Sequence, residues 1–263
     1  MKRTRMTGKA LAVLAAVGLA AGFAIGRPLF GERYEEKFAK TEALAKDGRV
    51  IISNISGPIV VKSWAQEQVQ IDAVKTCNVS SAAKAKENMA QVRIEVTKTG
   101  NIVQIETKYP EKARNINVSV SYVLTIPDQA SIKIRSVSGS VEASDIGGLF
   151  EVNNTSGGVT LSRMGGGVDC MVVSGGIKVT DVKGDVELKT VSGSIGAARI
   201  LGSIDAETTS GSIVLSEIVE PKTVRVKVLS GKIDYDGGIA AGGKYSFESL
   251  SGSVRVTVPS SSG

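Results

Sequence analysis

The alternation of hydrophobic and polar positions predicts β-strands over the first large part of the 263-residue chain, residues 49–134. Short runs such as Val92, Ile94 and Val96 place an apolar residue at every second position, a pattern typical of half-buried strands. Residues 81–90 break the alternation, are rich in Ala and Lys, and predict a short helix with Ser80 or Ser81 as its N-cap. We therefore expect a β-rich region over residues 49–134 that contains one helix.

Residues 135–258 repeat with a period of 18 residues, which is the strongest pattern in the chain. Each repeat contains a Ser-Gly pair, and further glycines halfway between the pairs divide the repeat into two nonapeptides. Glycine occupies position two of a nonapeptide, and hydrophobic residues occupy positions four, six and usually nine. The pairs predicted to form structural turns are Ser138-Gly139, Ser156-Gly157, Ser174-Gly175, Ser192-Gly193 and Ser210-Gly211, and two more pairs follow after steps of 20 and 21 residues.

This repeat predicts an all-β fold, a parallel β-solenoid with about 18 residues per coil and two nonapeptide strands in each coil. Positions four and six of a strand point to the same side, so coils stacked ~4.8 Å apart bury them together. The ninth residue is expected to fill the corner, as at Ile146, Met164, Val182 and Val191. A three-sided coil of 18 residues also exists, so the number of faces and the handedness stay open.

The N-terminus has the layout of an export signal. Lys2, Arg3, Arg5 and Lys9 precede an apolar run over residues 10–25, and small residues follow where a peptidase would cut. The run is shorter than the ~20 residues that span a bilayer, which favours a cleaved signal over a retained anchor without excluding the anchor. We assign residues 1–26 to a signal peptide or anchor, 27–48 to a charged stalk, and 259–263 to a flexible tail.

Composition removes several classes of function. Loss of residues 1–26 would lower the formal charge from +6 to +2, which leaves no basic surface for nucleic acid. The absence of His excludes a Ser-His-Asp triad, a His-bearing zinc site and a His general base. Gly165-Gly166-Gly167 lacks the Lys-Ser/Thr of a phosphate-binding loop, and no pattern calls for a cofactor. Cys77 and Cys170 either pair or stay as thiols, and the inward position of Cys170 favours a buried thiol.

Two polar columns are the candidate sites of the repeat. The serines of the Ser-Gly pairs align, but a repeated hydroxyl beside a turn glycine is better explained by local backbone contacts than by nucleophilic chemistry. A column of acids is predicted at position five of alternate nonapeptides: Glu151, Asp169, Glu187 and Asp205. Aligned like charges repel. The repulsion between these carboxylates is offset in one of two ways. Either solvent, salt and nearby Lys183 or Lys189 screen it, or a bound divalent cation or a cationic partner neutralises it.

Three features together resemble the bacterial family known as "putative adhesin", a domain of unknown function built from β-strand repeats. They are the opening sequence over residues 50–64, the Thr125-Ile126-Pro127 junction, and the Ser-Gly repeats that follow. The resemblance covers roughly residues 48–258. It implies an envelope-associated β-helical protein, and the family brings no catalytic residues to transfer.

We therefore expect an exported, non-catalytic protein of the periplasm or cell surface, with a structural or adhesin-like function. A carbohydrate-active lyase or glycosidase on a β-helix is one alternative, and an envelope-stress accessory binding protein is another. The expected partners are an unidentified envelope protein or glycan surface, a second copy of the chain, and the membrane itself if the N-terminal segment is retained.

Overall fold

The computed structural model describes residues 32–110, 116–219 and 221–259 of the chain. The predicted signal peptide or anchor lies outside this part, as do the last residues of the predicted tail. The described residues form strands and one helix in this order: β1 (Glu32–Ala43), β2 (Arg49–Ser56), β3 (Ile59–Trp64), β4 (Gln68–Val79), α1 (Ala82–Gln91), β5 (Arg93–Thr99), β6 (Ile102–Lys108), β7 (Val118–Pro127), β8 (Ser131–Ser138), β9 (Val141–Ser144), β10 (Phe150–Ser156), β11 (Val159–Met164), β12 (Val168–Ser174), β13 (Ile177–Val182), β14 (Val186–Ser192), β15 (Ile195–Ile200), β16 (Ile204–Ser210), β17 (Ile213–Ile218), β18 (Thr223–Gly237) and β19 (Lys244–Thr257).

The repeat region is a parallel β-solenoid, as the 18-residue period predicts. Each coil contributes one strand to each of two parallel stacks. Sheet 1 contains β8, β10, β12, β14, β16 and the first halves of β18 and β19. Sheet 2 contains β9, β11, β13, β15, β17 and the second halves of β18 and β19. In register, Phe150 lies beside Val168, and Val168 beside Val186, so residues 18 apart are neighbours.

The solenoid core consists of the inward side chains at positions four and six. Val159, Leu161, Val179 and Leu188 are at most 1% exposed, and their equivalents in neighbouring coils are buried against them. A parallel stack supplies such a core because each coil covers the apolar side of the next. Glycine at the turns lets successive backbones approach closely, as described below.

The expectation that every ninth residue fills a corner of the solenoid is wrong for one of the two nonapeptides. In the sheet 2 nonapeptide the ninth residue is buried, as predicted for Ile146, Met164 and Val182. In the sheet 1 nonapeptide it faces solvent, and Val191 is 51% exposed rather than filling a corner. The reason lies one residue earlier. Position eight of the sheet 2 nonapeptide has a left-handed backbone, with φ between 54° and 64°, which interrupts the inward–outward alternation of side chains. In the sheet 1 nonapeptide the strand continues through position eight, so the alternation places position nine on the outside.

The strands of the N-terminal β-rich region extend the same solenoid. Strands β2 and β3 lie parallel to β8 and β9, and β6 and β7 lie parallel to β2 and β3 on the far side. The coil formed by β6 and β7 is therefore outermost, although it comes later in the chain than the coil formed by β2 and β3. Hydrophobic alternation predicts these strands, but not their order in the stack.

Antiparallel strands and the helix cover this outermost coil. Strand β5 pairs with β6, β4 pairs with β7, and β1 pairs with β4. Helix α1 begins after Ser81, whose side chain accepts a hydrogen bond from the backbone N–H of Lys84, as the N-cap prediction requires. Residues 32–43, which lie in the predicted charged stalk, form strand β1.

Neither cysteine forms a disulfide. Cys77 and Cys170 are both free and buried, which agrees with the interpretation of Cys170 as an inward thiol. Burial, with a smaller effect of the Asp169 charge, raises the pKa of the Cys170 thiol to about 12. Among the described residues, no helix is long and apolar enough to cross a membrane.

Candidate functional site

The Ser-Gly turns have a structural role that depends on the glycine. Gly139, Gly157, Gly175, Gly193 and Gly211 all have positive φ, from 119° to 158°. A Cβ placed on Gly175 would lie 2.3 Å from the carbonyl oxygen of Gly157, one coil earlier. Each of these glycines therefore packs against the turn of the preceding coil in a space that only glycine fills.

The serine of each turn contributes its backbone to the stack. The carbonyl oxygens of Ser156, Ser174, Ser192 and Ser210 accept hydrogen bonds from the turn glycine of the preceding coil, at 2.9–3.0 Å. In the described part of the chain, the hydroxyls of Ser138 and its four equivalents make no hydrogen bond, contrary to the expectation that they satisfy the turn. At Ser156, Ser192 and Ser210 the turn carbonyls are instead bonded by the inward polar side chain two residues before the serine. The equivalent residue before Ser174 is Val172, and the hydroxyl of Ser136, before Ser138, has no partner among the described residues.

These inward polar side chains were missed by the sequence analysis. Asn154 donates to the carbonyl oxygens of Gly139 and Gly157 at 3.0 Å, and the hydroxyl of Thr190 donates to the carbonyl of Gly175 at 3.1 Å. Both side chains are at least 95% buried. The signal was present as a polar residue at an inward position, where burial requires a hydrogen-bonding partner.

The opposite corner carries a ladder of alternating charges, which the sequence analysis also missed. Its members are spaced by 18 residues and all have positive φ: Asp145, Arg163, Asp181, Arg199 and Glu217. Arg163 binds Asp145 through two hydrogen bonds of 2.6 and 2.7 Å, and Arg199 binds both Asp181 and Glu217. The hydrogen bonds from Arg163 and Arg199 lower the pKa values of Asp145 and Asp181 respectively. We refer to these five residues as the charge ladder.

The predicted acid column is present on the outer surface of sheet 1. Glu151 lies in register with Asp169, Asp169 with Glu187, and Glu187 with Asp205. An open groove of about 550 Å³ runs beside the last three of these acids. Unlike the charge ladder, the column places four carboxylates in succession with no cation among them.

Cations bracket the acid column at its two ends. Glu151 binds Arg49 at 2.6 Å and Lys133 at 2.5 Å. At the far end, a guanidinium nitrogen of Arg225 lies 3.7 Å from a carboxylate oxygen of Asp205. Glu187 pairs with Lys189, two residues along the same strand, as the sequence analysis expected for that lysine.

Asp169 is the member of the acid column without an ion pair among the described residues. Burial, followed by the charges of Glu187 and Glu151, raises the pKa of its carboxyl group. The nearby charges of Lys189 and Lys133 oppose this effect but do not cancel it. The centre of the column is therefore the place where the fold leaves negative charge least compensated.

The metal alternative gains no support from the geometry. Within residues 32–110, 116–219 and 221–259, no group of three or more potential ligand side chains is arranged to hold a metal ion. The acids of the column lie on successive coils of one flat sheet, so their carboxylates form a line and do not converge on a point. Such a line suits an extended cationic surface better than a single ion.

An apolar ridge runs parallel to the acid column along sheet 1. It comprises the solvent-facing ninth positions, and its apolar members are 42–81% exposed: Ile55, Val137, Val173, Val191, Leu229 and Leu250, with Thr155 and Thr209 between them. Four residues along a strand separate the ridge from the acid column, which corresponds to ~13 Å. Sheet 1 thus presents an acidic strip and an apolar strip side by side.

The chain belongs to the Toastrack family, DUF4097. The model of this family matches residues 52–263, which is more than half of the chain. The match confirms the resemblance seen in the opening strands and the Ser-Gly repeats. The comparison with curated proteins gives no match.

Solved structures with a similar architecture come from several bacteria. A "putative adhesin" from Bacteroides fragilis is 13% identical, with 84% of this chain and 96% of that chain covered and a TM-score of 0.48. A "putative cell adhesion protein" from Clostridium sporogenes is 12% identical, with 85% and 100% covered and a TM-score of 0.38. A "putative lipid binding protein" from Parabacteroides distasonis is 10% identical, with 84% and 96% covered and a TM-score of 0.24. Because these sequence identities and TM-scores are low, the family assignment rests on the match to the family model alone.

Proposed function

We propose that this chain is an exported, non-catalytic structural or adhesin-like protein of the bacterial cell envelope, and that its sheet 1 surface binds a basic protein partner. The observation that carries the proposal is the contrast between two columns of charge in one solenoid. In the charge ladder, successive coils alternate acid and base. In the acid column, four successive coils present acids.

The contrast matters because the charge ladder shows that this fold can alternate acid and base on successive coils. Opposite charges on adjacent strands attract, and like charges directly opposite destabilise the pair. The charge ladder satisfies this rule with Arg163 and Arg199. A column that breaks it, with Asp169 left unpaired among the described residues, keeps negative charge free for a cation from outside. This is the behaviour expected of a binding surface.

The apolar ridge favours a protein over a glycan as the partner. A basic protein surface that also carries apolar side chains would contact the acid column and the ridge together. Carbohydrate is commonly bound by stacking on aromatic rings, and the outward positions of β8, β10, β12, β14 and β16 carry no aromatic residue. Phe150 and Tyr235, which lie in the repeat region, are directed into the core and are at most 1% exposed.

The connections between strands argue for a surface and against a catalytic cleft. From β9 to β17, consecutive strands are joined by two to five residues. Catalytic solenoids usually build their sites from long loops that interrupt the coils, and turns of this length provide none. Release of sugar fragments from envelope polysaccharide by the purified chain would overturn the non-catalytic part of the proposal.

Site-specific photo-crosslinking in cells that produce the full chain tests the proposal. A photoreactive residue replaces Met171, which is 47% exposed and lies on β12 between the acid column and the ridge. The matched control places the same residue at Lys178, an exposed position on sheet 2. We expect position 171, and not position 178, to crosslink to an envelope protein. Equal crosslinking at both positions, or none at position 171, would contradict the proposed binding surface.

A further inference from the structure

We propose that two copies of this chain associate through antiparallel pairing of their β19 strands, with a twofold axis at Ser246. The proposal concerns the C-terminal end of the solenoid and is independent of the partner proposed for sheet 1. It rests on an unpaired strand edge, on the exposure of core positions beside it, and on a self-complementary charge pattern.

The first observation is the free edge of β19. This strand spans 14 residues and pairs on one side with β18, in a single register from Thr223 beside Lys244 to Asp236 beside Thr257. Among the described residues, β18 is the only strand whose residues pair with those of β19. A long unpaired edge presents free N–H and C=O groups, which is a template for pairing with another chain.

The second observation is that the last coil exposes side chains that belong to the core. Val254 and Val256 occupy the inward register positions of Ile233 and Tyr235 in the preceding coil. Both valines are 44% exposed, whereas Ile233 and Tyr235 are 0% and 1% exposed. The stack thus ends, in the described part of the chain, on an apolar surface without the cap that terminal repeats need for solubility.

The two ends of the solenoid differ in how their edges are protected. At the other end, β1 carries seven charged residues among 12, and charges of this density discourage edge pairing. Strand β19 carries three among 14, which are Lys244, Glu248 and Arg255. None of the three lies at an inward position. In the described part of the chain, charge protects the strand edge at one end of the solenoid, and β19 at the other end carries no comparable protection.

The charges in the first half of β19 indicate that a second copy of β19 pairs with this edge, and they define the register of the pair. Lys244, Ser246 and Glu248 share the outward face, because alternate residues of a strand point the same way. In an antiparallel pair centred on Ser246, Lys244 lies opposite Glu248 of the partner subunit, and Glu248 lies opposite Lys244 of the partner subunit. Both charge pairs are then favourable, and the interface is isologous, as a twofold dimer requires.

The inward face supports the same register. Tyr245 would lie opposite Phe247 of the partner subunit, which makes an aromatic cross-strand pair on each side of the axis. The strand is already ordered for this contact. Phe247 packs on Tyr235 with ring centroids 5.1 Å apart, and the hydroxyl of Tyr245 donates to the carbonyl of Pro221 at 2.5 Å.

Charge reversal and exchange test the register. We measure the mass of the full-length chain in mild detergent by size exclusion with light scattering over a range of concentrations. Wild type should form a dimer that does not grow further. Lys244→Glu and Glu248→Lys each place like charges opposite one another twice, so each should weaken the dimer by about tenfold or more. The double variant K244E/E248K restores both pairs and should dimerise like wild type, as should a mixture of the two single variants.

Controls separate this edge from other routes of association. Lys178→Glu makes the same charge change on sheet 2, away from the edge, and should leave the dimer unchanged. Ser246→Cys should form an intermolecular disulfide on the axis, whereas Ser253→Cys on the same edge should not, and both natural cysteines are buried. A monomeric wild type would overturn the proposal. So would growth into open filaments, or single variants that remain dimeric, because association would then use another surface.

Discussion

In each coil the Ser-Gly turn depends on one glycine, whose φ and packing together exclude other residues. At Gly175, φ is 153°, and a Cβ would meet the Gly157 carbonyl oxygen at 2.3 Å. The equivalent glycines of the other Ser-Gly turns make the same contact, so at this corner successive backbones stack directly on one another with no side chain between them. Because the constraint arises from both the backbone angle and the neighbouring coil, relaxation of one does not relieve the other.

Gly175→Val should therefore lower the free energy of unfolding by more than about 1 kcal/mol. Gly196→Val is the matched control, because a Cβ at Gly196 meets nothing within 4 Å and the residue lies on a strand. Denaturant titration of both variants measures the difference. Equal stability of the two would show that the turn tolerates a side chain, and the assigned role of the glycine would be wrong.

The spacing of the glycines made these turns predictable from the sequence, whereas the left-handed backbone of the charge ladder could not be predicted in the same way. Asp145 and Arg163 adopt left-handed backbone angles that are usually occupied by Gly, Asn or Asp. For Arg163 no local preference indicates this conformation. It is sustained by ion pairs to residues 18 positions away, which become neighbours only after the coils have stacked.

At the scale of a strand, the acid column stores repulsion along sheet 1. Its centre, Asp169, has a raised pKa because burial and the two flanking acids disfavour the charged form. The folded protein therefore holds this proton more tightly than the unfolded chain does. Stability from this group is present in acid, below the ordinary pKa of 3.8, and is lost as pH rises through the folded-state pKa.

Asp169→Asn should raise the stability at pH 7 by up to about 1 kcal/mol, since the substitution removes a repulsive charge. The gain should shrink as pH falls towards 3.8, where the wild-type carboxyl group takes up its proton. Glu142→Gln serves as the control, because Glu142 lies in register with Val60 and Thr160 and has no acid beside it. Thermal melts across this pH range check the result, and a gain that does not change with pH would contradict the assigned repulsion.

The alternation of residues predicted the strands and the acid column, but it did not predict the apolar ridge. One rule for both nonapeptides assigned Val191 to the core. What decides the direction of position nine is whether position eight keeps an extended backbone, as at Thr190, or turns left-handed, as at Asp181. The backbone conformation at position eight depends on contacts between coils, so the local pattern of hydrophobic residues does not predict it.

For the whole molecule, the order of coils differs from the order of the sequence. The coil of β6 and β7 lies outside the coil of β2 and β3, and the chain then returns to continue the solenoid from β8. The 18-residue spacing could not reveal this arrangement, because it begins only after residue 134. Long-range pairing over more than 50 residues, as between Arg49 and Ile102, decides it.

Export is a property of the whole chain that the sequence alone predicts. A fusion of residues 1–48 to alkaline phosphatase should be active, because the enzyme works only after it leaves the cytoplasm and Lys2, Arg3 and the apolar run form an export signal. The control fusion begins at residue 27 and should be inactive. An inactive fusion of residues 1–48 that stays in the cytoplasm would contradict the proposed location of the protein in the cell envelope.

The most direct test of the proposed binding surface is retention of the envelope protein that crosslinks at position 171 on immobilised full-length chain. Asp169→Asn with Glu187→Gln neutralises the centre of the acid column, and Glu95→Gln with Glu142→Gln removes the same charge elsewhere. We expect wild type and control to retain the partner, and the column variant to bind it about tenfold more weakly or worse. Equal retention by all three proteins would contradict the claim that the acid column is a binding surface.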